Sequence, residues 1–191
     1  MRIIAGKFRG RALSAPQDKE TRPTADRVRE NLFNILDSMI TAGRLAPWAD
    51  LHVIDGFCGT GALGLEALSR GAKTALFIEK SREAVAICRQ NINSCKLTDA
   101  QAQILMADIL HLPRMQKDRP QAQLVFLDPP YGLNLGIPAL TALTAQNLLT
   151  ARHICVLETD KKHPENIPET YRERDQRLYG RTCLQIIEIS D

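Results

Sequence analysis

The chain has 191 residues, 44% of them hydrophobic and 25% charged, which suffices for one domain with a buried core and excludes the composition of a disordered chain. Its formal net charge of +3 names no partner by itself, so the placement of the charges matters more than their sum. Five cysteines (Cys58, Cys88, Cys95, Cys155, Cys183) lack Cys-x-x-Cys spacing and are odd in number, charge interrupts residues 1–10 before a signal-peptide core could form, and no apolar run has the length of a membrane span. The expectation is a reduced, cytoplasmic protein.

Arg2, Lys7, Arg9 and Arg11 precede the first acidic residue, Asp18, and Arg22, Arg27 and Arg29 follow soon after. Short apolar stretches on either side of Gly6-Lys-Phe-Arg-Gly10 predict a small hairpin that carries this basic arm, a candidate binder of nucleic-acid phosphates through Arg2, Lys7, Arg9, Arg11 and Arg22. Thr24 is the expected N-cap of a helix over 25–38, with Val28, Leu32, Phe33, Ile35 and Leu36 on its apolar face.

From Leu51 the pattern changes to short apolar runs alternating with helical stretches, which predicts strand-helix-strand units and a parallel sheet, an α/β fold of Rossmann-like type. Strands are expected over 51–55, 74–79, 103–106, 124–128 and 153–158, and helices over 62–70, 82–95 and 137–149. Residues 161–168 read as polar loop. A turn around Gly180 leads to a final, antiparallel strand over 182–188. No repeat or composition shift marks a second domain. The division expected is an N-terminal hairpin-and-helix extension over 1–40 on a catalytic domain over 41–191, together one unit and a monomer.

Two segments carry chemistry. The first, Asp55-Gly56-Phe57-Cys58-Gly59-Thr60-Gly61, runs from a strand into a helix, as loops do where backbone must approach a nucleotide cofactor. Gly59, Gly61 and Gly64 also satisfy the dinucleotide fingerprint, with Glu79 about 20 residues on, so spacing alone leaves NAD and S-adenosylmethionine both open. Charge separates them: a pyrophosphate disfavours an acid at a helix N-terminus, whereas a sulfonium cation tolerates Asp55 there. Glu79, followed by Lys80, is placed to take the ribose hydroxyls, and Asp108, followed by Ile109, the adenine amine. Cys58 is read as a small loop residue, and His52, His111, His153 and His163 lack ligand spacing, so no metal is expected.

The second segment, Asp128-Pro129-Pro130-Tyr131, closes a buried strand and is the more specific signal. An exocyclic base amine is a poor nucleophile whose lone pair is delocalised into the ring. A carboxylate and a fixed carbonyl, accepting one N–H each, would aim that lone pair at a methyl carbon, and an aromatic face would stack an extruded base.

With Arg22-Pro-Thr-Ala-Asp-Arg-Val-Arg-Glu-Asn-Leu-Phe-Asn34, Gly59-Thr-Gly-Ala-Leu-Gly-Leu-Glu-Ala-Leu-Ser-Arg70 and Leu127-Asp-Pro-Pro-Tyr131, nearly the whole chain resembles the bacterial RsmD-type family, which methylates guanine N2 in 16S ribosomal RNA. The resemblance implies a class I methyltransferase fold with a seven-stranded sheet whose last strand is antiparallel, and an N-terminal arm that contacts RNA. It also implies S-adenosylmethionine as cofactor, 16S rRNA in the small ribosomal subunit or its assembly intermediate as partner, and guanine-966 as target. Gly56 and Cys58 depart from the Leu and Ala usual in that family. An adenine or cytosine amine of DNA or another RNA is the alternative acceptor, and an NAD-dependent oxidoreductase or a non-catalytic RNA-binding module are the readings from other classes.

Overall fold

Apolar runs without polar alternation, such as Leu76-Phe-Ile78 and Leu124-Val-Phe-Leu127, are buried on both faces, as strands in the middle of a covered parallel sheet must be. The computed structural model describes residues 1–16, 23–115 and 118–190, with 23–25 as backbone alone. Among these, the strands are β1 (His52–Gly56), β2 (Thr74–Glu79), β3 (Ala102–Met106), β4 (Ala122–Leu127), β5 (Leu149–Asp160), β6 (Tyr171–Tyr179) and β7 (Thr182–Ile189). They form one sheet in the order β3-β2-β1-β4-β5-β7-β6. Neighbours from β3 to β5 are parallel, and β7 runs antiparallel to both β5 and β6.

Helices α1 (Pro23–Thr41), α2 (Ala62–Arg70), α3 (Arg82–Ser94) and α4 (Gly136–Ala145) complete the layers. Side chains of α1, α2 and α3, including Phe33, Leu36, Leu65 and Ile92, pack with Val53, Phe77, Leu124 and Phe126. Ala139, Leu140 and Leu143 of α4 pack with the alternate residues Ile54, Val125, Leu127 and Leu157. The period of two along each strand thus feeds one core on each side of the sheet. No helix of the described residues is long and apolar enough to cross a membrane.

Several expected boundaries move, each for a local reason. The N-terminal hairpin is reduced to one antiparallel bridge, Arg2 with Ala12, around a 3-10 turn at Gly6–Phe8. The Ile3 and Leu13 amides still donate across it to the Arg11 and Met1 carbonyls at 3.0 and 3.1 Å, but the pairing goes no further: the Ile4 and Ala5 amides donate to the Glu66 carboxylate at 2.7 and 3.0 Å, and the Phe8 amide to Ser69 Oγ at 2.9 Å. Helix α1 starts at Pro23, a residue suited to a first turn, so Thr24 lies inside the helix and is not its N-cap.

Strand β4 stops at Leu127 and not at Asp128, because Pro129 has no N–H to continue the ladder. Helix α4 stops at Ala145, short of 149, where Asn147 takes a left-handed φ of 58° and turns the chain into β5. Strand β5 is longer than expected, and β6 was not read from the residues at all.

Candidate active site

The glycine loop leaves the carboxyl end of β1 through left-handed backbone at Phe57, Gly59 and Gly61 (φ 57°, 51° and 78°). A Cβ on Gly61 would lie 2.7 Å from Cys88 Sγ, and one on Gly64 would lie 2.4 Å from Phe77 Cε1. These two glycines therefore let α2 pack closely on β2 and α3. Around Gly59, by contrast, a Cβ would meet nothing nearer than the Phe57 carbonyl oxygen at 3.9 Å, so the crest of the loop is open. At Gly56, Ile109 Cδ1 and Leu127 Cδ2 stand within 2.7 Å of where a Cβ would be.

Three of the expected acids gather at this end of the sheet. Asp55 is buried and accepts the Gly64 amide at 2.8 Å. Burial pushes its pKa up to about 7, the Gly64 hydrogen bond opposes that rise, and the charge of nearby Glu79 adds to it. Glu79 accepts the Gly59 amide at 3.1 Å and the Ser81 amide at 2.8 Å, which ties the loop to the end of β2. Asp108 lies two residues past the end of β3, where it caps the turn Ile109–His111 by accepting the Leu110 amide at 3.0 Å. Lys80 Nζ lies 3.9 Å from its carboxylate. The Ile109 side chain is buried in the α4-side core, so only its backbone is left to face a ligand.

Cys58 is buried in the loop with its Sγ 3.9 Å from Cys88 Sγ. The contact with Cys88 and burial both raise its pKa far above the usual thiol range, so it stays a neutral packing residue. The Thr60 carbonyl is held by Asn91 Nδ2 at 2.9 Å.

After β4, Pro129 is buried while Asp128 and Pro130 are exposed. Tyr131 is 38% exposed, yet its hydroxyl is fixed: it donates to Glu158 Oε1 at 2.6 Å and meets Thr182 Oγ1 at 2.9 Å. Burial raises the pKa of Tyr131, and the hydrogen bond to Glu158 raises it further. Glu158 is also raised by burial. The phenol therefore keeps its proton at neutral pH and acts as donor. Gly132 and Asn134, both with positive φ, turn the chain away beyond the ring. Glu165 then anchors the start of α4 by accepting the Gly136 and Ile137 amides, each at 2.8 Å.

On the basic arm, Arg2, Lys7, Arg9 and Arg11 are exposed, and Arg22 lies outside the described residues. The arm is held by side chains that sequence reasoning did not single out. Fully buried Glu66 takes the two arm amides and pairs with Arg70 Nε at 3.1 Å. Ser69 accepts the Phe8 amide and donates to the Ala5 carbonyl. Asn91 clasps Ser14 through both its amide and its carbonyl while also holding Thr60, so one side chain joins the arm to the loop. Arg11 donates to the Ser94 carbonyl, and Lys7 lies 5.5 Å from the Phe8 ring centroid. Glu158, Thr182, Glu66 and Asn91 were not legible because each acts on a partner distant in sequence.

The arrangement thus offers an open, acid-lined loop beside an aromatic face that follows a carboxylate and two prolines. The sequence pattern of the family described as Conserved hypothetical protein 95 matches residues 1–188. Ribosomal RNA small subunit methyltransferase D of Haemophilus influenzae is 36% identical over 180 residues, 94% of this chain and 89% of that protein. The protein of the same name from Escherichia coli K12 is 32% identical over 98% of this chain and 89% of its own length. The crystal structure of a Haemophilus influenzae protein provisionally assigned as a methylase aligns with a TM-score of 0.78 at 31% identity, covering all of this chain and 98% of that one. The fold is that of class I methyltransferases.

Proposed function

We propose that this chain, which belongs to the Conserved hypothetical protein 95 family and to the family of ribosomal RNA small subunit methyltransferase D, methylates the exocyclic N2 of a guanine in 16S rRNA with S-adenosylmethionine as donor. The observation that carries this reading is the juxtaposition at one sheet end of the glycine loop with Asp128-Pro-Pro-Tyr131 and its fixed phenol. By the same resemblance, the target is guanine-966.

The loop suits a sulfonium ligand better than a dinucleotide. Gly59 donates its amide to the Glu79 carboxylate, so a loop donor that a pyrophosphate would need is spent on an anion, and buried Asp55 adds a second acid. The Glu79 carboxylate has lone pairs left for ribose hydroxyls after accepting two amides. Asp108 and the Ile109 backbone would border the adenine, with Lys80 beside them. S-adenosylmethionine supplies an electrophilic methyl carbon.

This chain's own residues would do the rest by positioning. Asp128 accepts one N–H of the guanine amine and the Pro129 carbonyl the other, which directs the nitrogen lone pair toward the methyl carbon. As the nitrogen–carbon bond formed, the carbon–sulfur bond would break and its electron pair would return to sulfur as a neutral thioether; the methylated nitrogen would then carry an extra proton that Asp128 could receive. Tyr131, held by Glu158 and Thr182, presents its face to the extruded base, a stacking contact worth about 1–3 kcal/mol. Arg2, Lys7, Arg9 and Arg11, with Arg22, would contact phosphates of the small subunit or its assembly intermediate.

The test is incubation with radiolabelled S-adenosylmethionine and small subunits from cells lacking the endogenous activity, followed by mass spectrometry of the labelled base. N2-methylguanine in 16S rRNA supports the proposal. Label on an adenine or cytosine amine, or on DNA, keeps the chemistry and overturns the substrate, and no transfer to any nucleic acid overturns the reaction.

A further inference from the structure

A groove of about 580 Å³ runs between α1 and the edge strand β6, away from the cofactor loop. Its floor is apolar, with Met39 and Ile186, while Arg44, Arg174 and Arg177 line it against a single carboxylate, Asp175. Arg174 is held by largely buried Glu188, which Arg172 also pairs, whereas the Arg177 side chain is half exposed and pairs with Asp175 at 3.0 Å, a surface pair weak enough to exchange for a phosphate. The groove therefore combines guanidinium groups for phosphates with apolar and aromatic surface for bases.

Its position matters as much as its charge. Tyr179 lines the groove and is paired in register with Thr182, the residue whose hydroxyl meets Tyr131. The groove thus adjoins the acceptor site across one β-bridge. An RNA strand with one base against Tyr131 must continue on both sides of that base, and this is the basic channel that starts beside it.

Resting on the methyltransferase reading above, we propose that the α1–β6 groove seats the single-stranded RNA that flanks the target nucleotide. Arg44 and Arg177 neutralise its phosphates, and Tyr179 stacks one of its bases.

The experiment replaces both arginines, Arg44→Glu with Arg177→Glu, and compares this variant with Arg44→Lys/Arg177→Lys and with the unaltered protein. Filter binding of a 16S rRNA transcript is measured across salt concentrations, alongside steady-state methylation of small subunits and a thermal melt. The expected result for the glutamate variant is an unchanged melt, a loss of RNA affinity of tenfold or more, and a log–log salt slope shallower by roughly 2. KM should rise in proportion with kcat within about twofold, and the lysine variant should recover most of the affinity. Unchanged affinity and slope in the glutamate variant overturn the groove while leaving methylation by the unaltered protein intact. Methylation absent from the unaltered protein, with RNA binding still sensitive to these two residues, overturns the reaction and keeps the groove. An acidic peptide that binds the unaltered groove, with RNA affinity unaffected by the glutamates, reassigns it to a protein partner and overturns the proposal.

Discussion

Tyr131 donates its phenolic hydrogen to Glu158 Oε1 at 2.6 Å, so the aromatic that ends the Asp128–Tyr131 segment is fixed by a carboxylate 27 residues away on the neighbouring strand. The hydrogen bond and the ring make separable contributions. Tyr131→Phe retains the stacking face and leaves partly buried Glu158 with only the longer hydrogen bond from Thr182 Oγ1 at 3.4 Å, which should cost about 0.5–1.5 kcal/mol of stability and only a several-fold loss in kcat. Tyr131→Ala removes the face as well and should lower kcat/KM much further. Single-turnover rates and thermal melts on both variants check this, and equal activity of the two would show that the ring does not hold the base.

Asp128 is the first residue beyond β4, exposed where the acceptor base would sit. If Asp128 holds the reacting nitrogen, Asp128→Ala should lower the transfer rate by about a hundredfold or more, with S-adenosylmethionine affinity unchanged. Full activity in this variant would remove Asp128 from the mechanism. Asp128→Asn, which can still accept one N–H but cannot take the proton, should fall between the two.

The buried carboxyl of Asp55, with its pKa pushed up to about 7, is protonated in much of the free protein at mildly acidic pH. A cationic ligand favours the ionised form, so S-adenosylmethionine affinity should rise as pH increases through about 7 and then level off. The same shift has a stability consequence of opposite sense. Folded Asp55 binds its proton more tightly than the unfolded chain does, with its ordinary pKa of 3.8, so its contribution to stability falls between pH 3.8 and about 7 and is constant above. Calorimetric titrations across this range test the first point. Asp55→Asn should flatten the curve, and a slope that survives this substitution would place the titrating group elsewhere.

How much of this was readable from the residues depended on whether the determining interaction was local. Helix α2 and strand β2 were legible to the residue, because glycines at 61 and 71 bracket one and uninterrupted apolar residues make the other. Strand β6 was not, since its sequence, Tyr-Arg-Glu-Arg-Asp-Gln-Arg-Leu-Tyr, is that of an edge whose charges discourage further pairing, and a bulge near Glu173 breaks the alternation. The gathering of Asp55, Glu79 and Asp108 at one end of the sheet was legible because strand ends are predictable. The partners of Tyr131 were not: Thr182 is 51 residues distant, and only the antiparallel β7 brings it alongside β5.

Glu66, within a helix stretch that drew no reading for this residue, is fully buried beneath the arm and receives the Ile4 and Ala5 amides as well as Arg70. Glu66→Ala would strand these donors, with Arg29 Nε 4.0 Å from the lost carboxylate, and should cost about 3–5 kcal/mol. The damage should centre on the arm, so limited proteolysis within residues 1–16 should accelerate. Global unfolding with no prior cleavage of the arm would instead show that the arm and the sheet are one cooperative unit.

The arginines of the arm differ in what their loss should mean. Arg9 is exposed on the turn after Phe8, whereas Arg11 already donates to the Ser94 carbonyl at the end of α3. If the arm grips phosphates, Arg9→Ala should weaken RNA binding across sequences and flatten the log–log salt slope by roughly 1, with no change in melting temperature. Arg11→Ala should lower both RNA affinity and arm stability, because it removes a contact that pins the arm to α3. Comparing salt slopes with melts for the two variants separates the roles. A slope unchanged by both substitutions would mean that the arm braces the cofactor loop through Asn91 and does not touch RNA.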